Sequence, residues 1–220
     1  MSASPSRPDR PQRAPRRTGD PRALDWERIE FWTAKVVEKD LLSIGDVFIA
    51  AGADLPEVVW SPKAHDLAAP PLSFLSGHWS SLSDGGLPHI RQIDPLELRP
   101  ALGYVMLLDA VDGGRDFRYR LYGSKIAQIS NLDMTGRLLS EHPASTYVAE
   151  FGIAVYRAAL IRRESIYTTR KPTIAEFTAC WQRLAMPLVD DSGAVVRLLA
   201  ATVAIGGDGV MIRSGSGAFA

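Results

Sequence analysis

A single cysteine, Cys180, leaves this 220-residue chain no internal disulfide framework and fits a reducing compartment. Its 25 basic and 25 acidic side chains cancel, so the whole chain offers no net field to attract nucleic acid or a membrane surface. No uncharged run approaches the roughly 20 apolar residues that a membrane-spanning helix needs. The histidines, at 65, 78, 89 and 142, are too scattered for a zinc spacing, and no metal site is expected. A nucleophile elbow, a Walker loop and a dinucleotide fingerprint are all missing. The paired glycines at 85–86, 113–114 and 206–207 lack the required spacing and context. These gaps argue against the familiar enzyme classes, and no catalytic residue is assigned.

What is present is an ordinary globular composition, 46% hydrophobic and 23% charged, at a length that suits one domain with extensions. Residues 1–23 hold six Arg against two Asp, with five Pro, so residues 1–24 read as a disordered basic arm. No apolar run follows these arginines, so the arm is not a signal peptide. Residues 25–84 read as a helical extension. Within it, Trp26–Leu42 places Ile29, Trp32, Val36 and Val37 on one face, and Asp25 can cap its start. That face would dock on the rest of the protein or form a dimer seam. Asp46–Ala51 and Leu72–Leu82 are further helical segments, the second carrying Leu75 and Trp79 on one side.

The stretch Leu102–Gly123, LGYVMLLDAVDGGRDFRYRLYG, organises the remainder. Two strand-like runs flank Asp112-Gly113-Gly114-Arg115-Asp116, a strong hairpin signal. The second run alternates, with Phe117, Tyr119 and Leu121 on one face and Arg118, Arg120 and Tyr122 on the other. A hairpin cannot bury such a face alone. Ser124–Ser130 then reads as a short helix and Ser145–Arg163 as a long one, with a stripe of Val148, Phe151, Val155 and Ala159. Strands follow at Ser165–Arg170, Phe177–Leu188 and Val195–Ile205, the last two joined by the turn Asp190-Asp191-Ser192-Gly193. From Gly206 the Gly- and Ser-rich composition predicts a flexible tail. The order of elements predicts an α+β domain over residues 85–205, its antiparallel sheet covered on one face by helices.

Asp94-Pro95, Phe117-Arg118-Tyr119-Arg120-Leu121, Gly123, Thr135-Gly136, Pro187 and Gly193 together resemble the PAS-type sensor domains, and specifically a divergent alphaproteobacterial subfamily. The resemblance runs from about Trp79 to Ile205. It implies a five-stranded antiparallel sheet, helices over its concave face and a site for a small ligand between them. It also implies a sensory or regulatory, cytoplasmic module that signals through ligand-dependent repacking or dimer contacts. Haem and flavin find no specific motif: His142 lies before the helix beside Pro143, and Cys180 lies in a strand. The cofactor is therefore left unknown.

Candidate ligand-binding residues are those able to line such a cavity: Tyr104, Met106, Phe117, Tyr119, Phe151, Val155, Phe177 and Trp181. Aromatics supply contact area and their polar tips supply directional hydrogen bonds, although a closely packed core uses the same residues. Trp32, Trp79, Arg91, Asp94, Arg118 and Arg120 are candidates for structural or partner contacts. Arg118 and Arg120 would be solvated or paired with an acid such as Asp94 or Asp109, and Arg91 with Asp94 would tie the leading loop to the sheet. The expected partners are a small molecule and a second copy or another protein, with nucleic acid not expected. A ligand-independent homo-oligomer or scaffold is the competing reading, with a small-ligand enzyme behind it.

Overall fold

A computed structural model describes residues 23–143, 146–171 and 180–213. The helices are α1 (Trp26–Glu38), α2 (Gly45–Ala50), α3 (Pro70–Ser81), α4 (Ser124–Ser130) and α5 (Thr146–Arg162). The strands are β1 (Glu57–Trp60), β2 (Val105–Val111), β3 (Asp116–Tyr122), β4 (Ile166–Arg170), β5 (Cys180–Val189) and β6 (Val195–Ile205). All pairings are antiparallel, in the order β1-β4-β5-β6-β2-β3.

The fold is α+β, with the expected hairpin (β2–β3), the meander (β4–β5–β6) and β6 beside β2. The sheet has six strands, not five. The extra one, Glu57–Trp60, adds to the edge next to β4. It is four residues long and enclosed by prolines, too short to announce itself by periodicity. The helical cover also differs from the one-sided expectation. One cluster packs α1, α2 and α5 against Met106, Leu108, Phe117, Ile166, Ala185 and Leu198. On the other face, Leu72 and Leu75 of α3 pack with Tyr167, Leu184, Met186, Leu199 and Val203. β6 is accordingly apolar at successive positions, the pattern of a strand buried on both faces.

Local chemistry explains the boundaries. Asp25 caps α1 by accepting from the Arg28 N–H at 3.0 Å, and Lys39 (φ 65°) closes that helix four residues before the predicted end. Two prolines open α3, where the first-turn N–H groups have no helical partner to lose. The β2–β3 turn places Gly113 and Gly114 at φ 67° and 85°, a region that suits glycine. Residues 206–213 turn back on the sheet, Ile212 N–H donating to Ala204 O at 2.8 Å.

Helix α1 docks mainly on α5. Trp32 is buried between Phe48 and Phe151, with ring centroids at 5.5 and 6.3 Å. Helix α5 is thus held between the sheet and α1 and is buried around most of its circumference, not along one stripe. Its Glu150 side chain is fully buried on the α1 side. It accepts from Arg28 Nε at 2.8 Å, Arg28 Nη2 at 3.1 Å and the Asp25 N–H at 2.8 Å.

Candidate functional site

The face of the sheet beneath α5 carries the unusual chemistry. Strand alternation puts Trp181, Arg183 and Ala185 of β5, Thr168 and Arg170 of β4, and Thr202 of β6 on this face. From β3 come Phe117 and Tyr119. Tyr122 joins them because Leu107 pairs with Leu121 while Leu108 pairs with Tyr119, leaving Arg120 as an extra residue in a bulge. The predicted strict alternation, which placed Tyr122 with Arg118 and Arg120, fails at this point. The rings of Tyr119 and Tyr122 meet edge-on at 5.1 Å.

Val148, Phe151, Gly152 and Val155 of α5 face Thr168, Arg170, Trp181 and Arg183 across a narrow cleft. Its residual cavity is about 20 Å³, room for about one water molecule. Arg183 donates from Nε to Thr202 Oγ1 at 3.1 Å, and its guanidinium carbon lies 5.5 Å from the centre of the Tyr156 ring. Arg170 Nη1 is buried and, among the described residues, has no hydrogen-bond partner. The Tyr156 hydroxyl lies against Arg183, which acts on it through its charge and a side-chain contact. Both arginines keep some accessible surface although dense protein surrounds them, as groups lining an internal cleft do.

Burial and the like charge of Arg183 pull Arg170 down to about 10, with a Tyr147 contact opposing them. Burial also pulls Arg183 down, but Tyr156, Tyr119 and Tyr122 outweigh it and the balance lies above the usual value. Burial raises all three tyrosines, so at neutral pH they are phenols that face the cation as dipoles and not as charges. His142 is pushed down to about 4 by burial, then by Arg183 and Arg170. It stands near these cations, ahead of α5. Two charged guanidinium groups thus share one cleft, and among the described residues neither forms an ion pair with a carboxylate.

Of the candidates read from sequence, Tyr119, Phe151, Val155 and Trp181 lie at or beside this cleft, while Met106 and Phe117 lie in the core cluster on the same sheet face. Phe117 packs edge-on against Tyr156 at 5.3 Å. Tyr104 does not belong with them. It ends a three-ten turn before β2 and packs on the α3 side of the sheet. Phe177 lies outside the described residues. The sequence reading missed Arg183 and Arg170 as cleft residues, and Tyr156 as the core tyrosine beside Arg183. The signal for Arg183 was available, because it shares strand parity with Trp181 and Ala185 and so puts a charge on an inward face.

The structural candidates resolve separately. Trp32 is the α1 anchor, and Trp79 donates its indole N–H to Pro187 O at 3.0 Å. Arg91 pairs with Asp191 in the β5–β6 turn at 2.6 Å, not with Asp94. Asp94 accepts from the Leu96 N–H at 2.8 Å, as a cap for its turn. Arg118 donates to Gly136 O at 3.1 Å, while Arg120 and Arg197 both pair with Asp109, at 3.0 and 2.6 Å. Among the described residues no helix is long and apolar enough to cross a membrane, and no group of three or more His, Cys, Asp or Glu could hold a metal.

A family model described as PAS domain matches residues 67–202, more than half of the chain. The match begins ahead of α3 and ends within β6. No curated protein and no solved structure matches the chain.

Proposed function

The chain belongs to the PAS domain family, and on that premise we propose that it is a cytoplasmic sensory or regulatory module whose small ligand enters the cleft between α5 and the sheet. Occupancy of the cleft is read out through α1. The resemblance noted above supports membership of the divergent alphaproteobacterial branch as part of this proposal. The observation that carries this reading is the Arg170–Arg183 cleft itself, which puts two charges and, among the described residues, an unpartnered Arg170 nitrogen where a purely structural core would put apolar side chains.

The route to α1 is short. Phe151 lines the cleft and also packs on Trp32 and Phe48. Tyr147 interacts with Arg170 and stacks edge-on against Phe48 at 5.4 Å. A cavity with room for one water cannot admit an organic ligand unless a wall moves, and α5 is the wall that bears α1. The two packings then bind ligand unequally, which is what a population shift requires. Phenols raised by burial are poor bases at neutral pH, which supports binding over catalysis.

Native mass spectrometry of gently purified protein, beside its denatured mass and visible spectrum, tests this reading. A stoichiometric noncovalent mass is expected. A ligand-free protein whose α1 and α5 respond to no added small molecule overturns it.

One observation favours a second reading. Phe31, Leu42 and Ile49 are exposed on the N-terminal helical layer, at 47%, 83% and 68%. A homo-oligomer joined there would serve as a scaffold without any ligand. Light scattering distinguishes them, since that reading requires Phe31→Ser with Ile49→Ser to dissociate the assembly.

A further inference from the structure

We propose that the cleft takes a small organic carboxylate with an apolar or aromatic body, the carboxylate held by the guanidinium groups of Arg183 and Arg170. The inference rests on the sensory reading above and names the chemistry of its ligand.

Charge is the first argument. Arg170 and Arg183 converge on one small space, and their mutual repulsion is not relieved by an ion pair with any described carboxylate. Glu150 on the covering helix points the other way and is taken by Arg28. Burial and the like charge of Arg183 disfavour the Arg170 cation until an anion arrives. Unused donors are the second argument. Arg183 uses Nε on Thr202, and its Nη1 lies 3.6 Å from where a Gly152 side chain would begin, on the cleft side. Arg170 Nη1 has no hydrogen-bond partner among the described residues. Planar guanidinium forks match a carboxylate.

The remaining walls decide between anions. Beyond the arginines only the Thr168 hydroxyl and the Trp181 indole N–H are polar, while Val148, Phe151 and Val155 are apolar, so a phosphate would leave oxygens facing hydrocarbon without donors. A carboxylate concentrates its acceptors at one end and offers these walls the rest of its body. Arg170, even where burial lowers it to about 10, remains a cation at neutral pH.

The probe is sodium benzoate, with benzamide as the uncharged analogue, sodium chloride at equal ionic strength and inorganic phosphate as the competing anion. Calorimetry and thermal unfolding of the full chain are the readouts. Benzoate is expected to bind and raise the melting temperature, while benzamide, chloride and phosphate do not. Arg183→Met and Arg170→Met are expected to weaken benzoate about 10- to 100-fold. Arg183→Lys, which keeps the charge and loses the fork, should fall between these and the wild type. Arg118→Gln, at an exposed arginine outside the cleft, should bind as wild type does. Should a methionine variant fail to fold, the lysine variant and the benzamide comparison still decide.

Equal binding of benzamide, preference for phosphate, or no binding of benzoate overturns the inference. A neutral ligand found by native mass spectrometry overturns it too, while leaving the sensory reading intact. Benzoate binding without any change at α1 does the reverse.

Discussion

Removing the charge of Arg183 should not damage the ligand-free fold. The desolvation of this guanidinium and its nearness to a second cation offset its Thr202 hydrogen bond and Tyr156 ring contact, and a methionine of similar length fills its space. Arg183→Met is therefore expected to melt at or above the wild-type temperature, which calorimetry measures. Gly152 gives the complementary case. A Cβ there meets nothing closer than 3.6 Å, and alanine suits a helix better than glycine. Gly152→Ala should stabilise the protein by about 0.5–1 kcal/mol in urea unfolding while narrowing the cleft and weakening its ligand. His142 supplies a pH signature. Its folded value of about 4 lies below the ordinary 6.5, so between these values the unfolded chain binds the extra proton. Its contribution to stability is complete above pH 6.5 and declines as pH falls toward 4. His142→Gln should flatten that part of the stability profile relative to wild type.

Among the elements, α1 and α5 share an ion pair whose carboxylate, Glu150, is fully buried. Arg28→Ala strands the Glu150 carboxylate with only the Asp25 N–H for compensation, and should cost about 2–3 kcal/mol. Adding Glu150→Leu should recover much of that loss, because no unpaired charge remains. Urea unfolding of both single variants and the double variant checks this. Much at this scale was legible in advance. The Asp112–Asp116 break and the Asp190–Gly193 turn marked the β2–β3 and β5–β6 hairpins, and alternation in β5 carried enough information to place Arg183 inward. Other features were not legible. A bulge adds one residue without changing the composition of β3, so the rotation of Tyr122 onto the face of Tyr119 leaves no periodic trace. β1 is too short to show a period, and its edge pairing with β4 is a long-range choice.

For the whole molecule, the layered arrangement decides what the cleft can influence. The sheet is held from the far side by α3, and its central strands are buried on both faces, so its backbone is the firm wall. Helix α5 is the wall whose other side is a helical layer, and α1 closes on it through Trp32, Phe48 and the Arg28–Glu150 pair. A ligand that pushes α5 away from Arg183 must therefore repack α1. The most direct measurement is amide hydrogen exchange along the chain, with and without benzoate, in the wild type and in Arg183→Met. The account predicts that benzoate alters exchange in α1 as well as in β4, β5 and α5 of the wild type, and alters none of them in the variant. A change confined to the strands and α5, with α1 unmoved in the wild type, would contradict it.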